Sequence, residues 1–446
     1  MKTYRHALVV GLGGSGAAAA ELLRDEGADV VVIDAGDHSG LQQRKAELEA
    51  RGIRVMLGAK DVPAGSFDVG VVSPGIPVTS PWILDLRQRG IPVISELELG
   101  WSRRSCKVVA VTGSNGKSTV VKWMVESLQA AGLKAAPAGN YGPAVSAVVR
   151  ERRDLDWLVL EVSSFQMESA VAFRPEVGIL LNINPNHLDR HGDMQLYTQL
   201  KSKMFSAMHE KDVGLVPLSL LKSIKAFSGG KGRWRTFGAG ARSDFRYEEG
   251  QVWADHRAVA DFRGTYFGNE VLGLAAAAVV GGLQACGVDP TCAVRAAHAF
   301  KALPHRMELI AESRGIRFVN DSKATNLSAM AAALRMMPGN ARLIAGGLVK
   351  EKDFSFVKEL LVERASGVYL IGQASEEMSS AWSGVVPCFV CGTLDAALRK
   401  AWNDACAGET ILLSPACASF DQFRNYEERG DVFRKLVMGL VEESET

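Results

Sequence analysis

Three consecutive α/β domains are predicted by three observations in this 446-residue chain. Short apolar runs end twice in glycine-rich turns that open helices, at residues 7–16 and 108–119. The same strand–helix alternation restarts near Ile316 and continues towards the C-terminus. The length agrees, at roughly 150 residues for each domain.

The first strand, Ala7 to Val10, is followed by Gly11-Leu12-Gly13-Gly14-Ser15-Gly16 and an alanine-rich helix. A second strand, Val30 to Ile33, ends in Asp34, about where a βαβ unit places an acid on a ribose or base. This opening is Rossmann-like, and G-x-G-x-x-G taken alone points to NAD or FAD. Val69-Gly70-Val71-Val72 then runs into Ser73-Pro74-Gly75-Ile76-Pro77, a second rigid turn at a strand end. The polar Trp101-Ser102-Arg103-Arg104 is expected to be a linker, so the first domain covers residues 1–101.

The central domain, residues 102–306, opens on the strand Val108 to Val111 and the turn Thr112-Gly113-Ser114-Asn115-Gly116-Lys117-Ser118-Thr119. A strand, a glycine turn and a helix N-terminus aim several backbone N–H groups at one small volume, which attracts phosphate. Lys117 can reach the terminal phosphates and the Ser118 hydroxyl can sit on Mg²⁺. The first glycine of the usual P-loop spacing falls at Val111, so this is a shortened variant. Strands at Trp157 to Val162 and Val177 to Ile183 end in polar residues, where sites form in parallel sheets. The helix Leu196 to Met208 carries Lys201, which by position alone is a solvated surface residue. Short strands and turns from Val213 to Phe262 suggest an antiparallel edge or insertion. The most apolar stretch, Val271 to Leu283, is expected to be a buried helix.

The third domain, residues 307–446, is Rossmann-like, with strands Arg317 to Asn320, Arg342 to Ala345, Gly367 to Ile371 and Thr410 to Leu413. Helical patterns alternate with these strands, as a parallel sheet requires.

Composition excludes several classes of function. Lys+Arg 51 against Asp+Glu 50 leaves a charge of +1, too little to hold nucleic acid or an anionic membrane by bulk electrostatics. No apolar run of ~18 residues suits a membrane span, and the chain enters a strand without a leader pattern. The seven cysteines are scattered, and Cys388-x-x-Cys391 has no second pair at zinc spacing. A reduced, cytoplasmic protein is expected from this cysteine usage; separately, a monomer is expected.

Glu161, ending its strand beside the phosphate loop, is placed to hold Mg²⁺. Beyond it come Val162-Ser163-Ser164, then Asn182 to Arg190 with His187, then Tyr197-x-x-x-Lys201. Leu303-Pro304-His305-Arg306-x-Glu308 and Asn320-Asp321-Ser322-Lys323-Ala324-Thr325-Asn326 follow. In this order the motifs resemble the Mur ligase superfamily of ATP-dependent amide-bond ligases. Gly11 to Gly16 with Ser73 to Ile76, and Leu413 to Phe423, resemble the branch that joins D-glutamate to UDP-N-acetylmuramoyl-L-alanine.

The resemblance implies ATP, two Mg²⁺ ions and two small-molecule substrates, with no nucleic-acid or membrane partner. ATP would be bound by Gly113, Ser114, Asn115, Gly116, Lys117, Ser118 and Thr119, with Asn269, Arg306, Asp321 and Lys323. Ser118 and Glu161 would hold one Mg²⁺; His187 and Lys201 match the second metal position, where the family lysine carries a CO₂-derived carbamate. Lys117, His187 and Lys201 would be the catalytic set. Gly14, Ser15, Asp34, Ser73, Asn140 and Ser163 would contact the UDP substrate. Thr325, Lys350, Ser419, Phe420 and Tyr426 would receive D-glutamate. The chain departs from the pattern at Thr265-Tyr266, where relatives often have His-Asn, and at Asn186, where an acid is usual. A sister Mur ligase and a folylpolyglutamate synthase share parts of this logic. The latter would lack the Gly11-to-Ile76 unit. A nucleotide-dependent binding module would need no amino-acid pocket, and an NAD-dependent dehydrogenase would leave the second and third domains unexplained.

Overall fold

The computed structural model describes residues 2–349 and 353–445. Its strands form three sheets distributed over two compact units. The first unit holds residues 1–268 and 272–299, the second residues 269–271 and 300–446.

The first unit contains two sheets. A five-stranded parallel sheet takes β1 (His6–Val10), β2 (Asp29–Ile33), β3 (Arg54–Met56), β4 (Val69–Val72) and β5 (Val93–Ser95) in the order β3-β2-β1-β4-β5. The order reverses between β1 and β4, so the turns after these two strands face the crevice where doubly wound sheets bind ligands.

The second sheet takes β6 (Lys107–Thr112), β7 (Ala135–Gly139), β8 (Trp157–Glu161), β9 (Val177–Leu180), β10 (Val213–Pro217), β11 (Arg233–Gly238), β12 (Phe245–Glu248), β13 (Gln251–Ala254) and β14 (Arg257–Asp261). Their order is β14-β13-β12-β11-β10-β9-β6-β8-β7. The stretch expected as an antiparallel insertion divides in two. β10 and β11 continue the parallel sheet, joined through the helix Leu221–Ser228, and antiparallel pairing is confined to β12, β13 and β14. The helix Glu270–Ala285 occurs where apolarity predicts it, and most of its residues are buried.

The expected linker at 101–104 is instead a packed seam. Residues Glu96–Ser102 are helical, and Arg103 is 3% exposed, its guanidinium donating to Glu26 Oε1 at 3.0 Å and to Lys2 O at 2.8 Å. Glu96 accepts from Ser146 N at 2.7 Å and Glu98 from Ala172 N at 2.8 Å, which staples this helix to the second sheet's own helices and loops. A single apolar cluster runs through the seam, from Val9, Leu22 and Val71 to Val108, Leu158 and Leu180. Polarity at 101–104 therefore reflects specific pairing rather than exposure.

The second unit contains a six-stranded sheet of β15 (Glu308–Ser313), β16 (Ile316–Asn320), β17 (Ala341–Gly346), β18 (Ala365–Ile371), β19 (Cys388–Gly392) and β20 (Thr410–Leu413). The order is β15-β16-β20-β17-β18-β19, parallel except for the edge strand β15, which pairs antiparallel with β16 and was not anticipated. Cys388 and Cys391 lie on β19, where burial raises both thiols, consistent with strand thiols rather than a redox pair.

Gly100 measures how tightly the seam is packed: a Cβ there would lie 2.7 Å from Ser146 N. Gly439, inside the helix Tyr426–Glu445, has open space around its added Cβ. Gly100→Ala should destabilise the protein by roughly 1–3 kcal/mol through overpacking. Gly439→Ala should stabilise it by roughly 0.5–1 kcal/mol through helix propensity. Urea unfolding of the two variants checks the opposite signs.

Candidate active site

The phosphate loop takes its shape from two glycines and one asparagine. Gly113 and Gly116 adopt φ of 150° and 82°, in the region that favours glycine. Asn182, just beyond β9, accepts the N–H groups of Ser114 and Asn115 on Oδ1 at 3.0 and 2.9 Å, and its amide donates to Asn115 O at 3.1 Å. The Ser114 hydroxyl bonds Asn184 O at 2.9 Å and meets the Tyr197 hydroxyl at 3.1 Å. Asn182, which opens the polar run after its strand, thus acts as the structural brace of the loop. The helix Lys117–Ala130 begins at the left-handed Gly116, with no side chain capping its N-terminus.

Lys117 folds back, donating to Gly113 O at 2.9 Å and Ser114 O at 3.0 Å. The Ser118 hydroxyl donates to Glu161 Oε2 at 2.5 Å, and Asn140 Nδ2 donates to Oε1 at 2.6 Å. Both Ser118 and Glu161 are buried. Asn140, expected beside the UDP substrate, thus orients the carboxylate expected on the metal. A hydroxyl and a carboxylate oxygen in contact are a hard donor pair suited to Mg²⁺, which takes one or two protein oxygens and completes its shell with phosphate and water. Among the described residues, no group of three or more His, Cys, Asp or Glu is arranged to hold a metal by itself.

Lys201 departs most from its positional expectation. The helix Met194–Ser202 buries it to 2% exposure, and its amine donates to Gly113 O at 2.9 Å and Thr112 Oγ1 at 3.4 Å. Burial, reinforced by the Lys117 charge and opposed by Glu161, holds this amine well below the usual lysine range. His187 follows β9 at φ 55°, with its ring edge-on to Phe165 at 4.8 Å. Ser163 caps the helix Ser164–Glu168 through a reciprocal bond with Gln166.

At the first sheet's switch point, Asp34 accepts from Leu12 N at 2.7 Å and Gly36 N at 2.8 Å, and the Ser73 hydroxyl donates to Gly11 O at 2.9 Å. Both residues hold the glycine turn, leaving Gly14 exposed and Ser15 half-buried at the start of the helix Gly14–Asp25. Thr265 closes a turn by donating to Phe262 O at 2.6 Å, while Phe267 stacks on the buried Trp123.

In the second unit, the ends of β16 and β20 meet. Asp321 accepts from Ser414 Oγ at 2.9 Å and Met307 N at 3.2 Å, and Lys323 lies 3.5 Å above the Tyr426 ring. Arg306 and Thr325 are half-buried nearby in sequence, Ser419 is buried and Phe420 is 67% exposed. Asn269 accepts from Val271 N at 3.1 Å. Lys350 lies outside the described residues. Arg429, which the sequence did not single out, donates to Ser322 O at 2.8 Å and Cys417 O at 3.1 Å, joining the loops that carry Asp321 and Ser419.

Residues 5–95 match the Mur ligase MurD-like N-terminal domain, residues 111–266 the Mur ligase middle domain, and residues 305–417 the Mur ligase glutamate ligase domain. The UDP-N-acetylmuramoylalanine–D-glutamate ligase of Acidobacterium capsulatum is 37% identical, covering 97% of this chain and 95% of that protein. Its namesake from Nitratidesulfovibrio vulgaris is 38% identical, covering 98% and 96%. Among solved structures, MurF from Acinetobacter baumannii aligns with a TM-score of 0.63 at 17% identity, covering 97% of this chain and 93% of that one. The UDP-N-acetylmuramate–alanine ligase MurC of Thermotoga maritima gives 0.60 at 16%, covering 98% and 99%. At these identities the structural matches speak to the fold.

Burial pushes the Asp321 carboxyl up to about 7, against the Ser414 and Met307 hydrogen bonds and the Arg306 and Arg429 charges. The folded chain therefore keeps a proton that the unfolded chain releases near its ordinary value of 3.8. The stabilisation is complete below that value and is lost as pH rises through about 7. Asp321→Asn should flatten the decline in unfolding free energy between about pH 4 and 7, measured in urea.

Proposed function

This chain belongs to the Mur ligase family, and from that membership we propose that it joins D-glutamate to UDP-N-acetylmuramoyl-L-alanine, driven by ATP. The observation that carries the proposal is full-length similarity to D-glutamate-adding ligases, at 37–38% identity for the two relatives above. The fold is the three-domain Mur ligase architecture. We take the domains to divide near residues 101 and 306. No helix among the described residues is long and apolar enough to cross a membrane. A cytoplasmic monomer is part of the proposal.

The chemistry explains why these residue types are needed. A carboxylate is a poor acyl donor because oxide would have to leave. Phosphorylation of the alanyl carboxylate by ATP gives an acyl phosphate and ADP. The D-glutamate amine then attacks the acyl carbon, phosphate leaves with the C–O bonding pair, and the amine loses a proton. The protein supplies no nucleophile, so its contribution is orientation and charge stabilisation.

Residues 113–119 would cradle the phosphates, with Lys117 moving from its own loop carbonyls onto the transferring group. Ser118 and Glu161 would hold Mg²⁺, which supplies charge neutralisation between the two anionic reactants when bound. The depressed basicity of Lys201 supports its carbamylation, because CO₂ adds to the neutral amine, forming an N–C bond and releasing a proton. The product is an anionic oxygen ligand suited, with His187, to a second Mg²⁺. Asn269, Arg306, Asp321 and Lys323 would contact nucleotide. Gly14, Ser15, Asp34, Ser73, Asn140 and Ser163 would serve the UDP substrate. Thr325, Lys350, Ser419, Phe420 and Tyr426 would receive the D-glutamate carboxylates.

Phosphate release from ATP with UDP-N-acetylmuramoyl-L-alanine should depend on D-Glu and not on L-Glu or meso-diaminopimelate. Equal rates with the diamino acid would refute the assignment. Lys117→Ala should abolish turnover while calorimetry still detects the UDP substrate. Lys201→Ala should lose at least ~10²-fold in rate through misplacement of reacting groups. Small carboxylic acids should restore part of that loss. Lys201→Arg should stay inactive, because a guanidinium remains cationic and cannot ligate a metal.

A further inference from the structure

The short helix Ser164–Glu168 forms a platform against which the His187 segment docks. His187 sits in a left-handed backbone conformation, φ 55°, that residues other than glycine rarely adopt. Such a conformation persists only where its surroundings impose it. Its carbonyl accepts from Arg190 N at 3.1 Å and His191 N at 3.0 Å, closing the helical turn Leu188–His191.

The side chains of those two donors are anchored in turn. Arg190 bonds both Glu168 oxygens, at 3.0 and 2.7 Å, lies 4.4 Å above the Phe165 ring, and donates to Ile76 O at 3.3 Å. His191, only 4% exposed, pairs Nε2 with Ser164 Oγ at 2.9 Å, while Nδ1 faces Glu168 at 3.7 Å. Its ring also packs near Phe165 and Tyr197, at 5.3 and 5.6 Å. Ser–His–Glu in this order is the arrangement of a nucleophilic triad, but Ser164 is 3% exposed and closed to substrate. Its Glu already carries the Arg190 ion pair. The arrangement is mechanical.

We propose that His191 is a positioning residue: through its bond to Ser164 it locks the 187–191 turn onto the turn that follows Glu161, and so fixes where His187 points. The inference rests on the ligase activity proposed above for the consequence at His187. His191→Phe keeps an aromatic ring and removes the bond from one side; Ser164→Ala removes it from the other. Each variant should raise the Mg²⁺ concentration for half-maximal ADP binding, followed by calorimetry, by about tenfold, the worth of one buried hydrogen bond. The double variant should be no worse than either single one, because both remove the same interaction. kcat should fall with the Mg²⁺ response while KM for the UDP substrate stays within about twofold. His191→Gln, whose amide offers both a donor and an acceptor, should recover most of the loss. An unchanged Mg²⁺ response in His191→Phe, or additive losses in the double variant, would overturn the proposal. So would a lowered melting temperature accounting for the whole effect. A wild-type protein that binds ADP with Mg²⁺ yet shows no D-glutamate-dependent turnover would refute the activity, and the ADP titration would still decide the role of His191.

Discussion

The candidate site depends on how closely the phosphate loop approaches the end of β9. A Cβ at Gly113 would lie 3.1 Å from the Leu181 Cβ and 3.3 Å from Asn182 N, so the loop can lie there only as glycine. That proximity lets one asparagine side chain satisfy two loop N–H groups. It also sets the Gly113 carbonyl within reach of two lysines. Ser118 then meets Glu161, and Glu161 meets Asn140, each contact following from the last.

Lys117 and Lys201 both donate to the Gly113 carbonyl, each at 2.9 Å. Burial is the main cause that holds the Lys201 amine below the usual lysine range, and the Lys117 charge on the same oxygen adds to it. Its altered basicity thus follows from burial against the loop, with the partly exposed Lys117 supplying a like charge on the same carbonyl.

The motifs that carry chemistry were legible because each combines residue types that ordinary packing does not require together: glycine, lysine and serine after a strand, or an acid ending an apolar run. Strand positions followed from apolar runs bounded by turns, so β1, β4, β6 and β20 fell within a residue of their expected ends. β3 and β5, at three residues each, are too short to show periodicity. β15 was obscured because its alternating residues are only half-buried. The burial of Lys201 could not be read from its helix, since it depends on which loop lies opposite. Arg103 misled for the same reason, because charge pairing across 77 residues of sequence leaves no local trace.

The continuous core beneath the helix Glu96–Ser102 has an evolutionary implication. Exchange of domains between proteins is easiest where a boundary crosses few contacts. Here the cut would expose Leu97 and Leu99, both at 0%, and orphan Glu96 and Arg103 together. A sheet brought in from elsewhere would have to reproduce this buried surface and both charged pairings to fold against its neighbour.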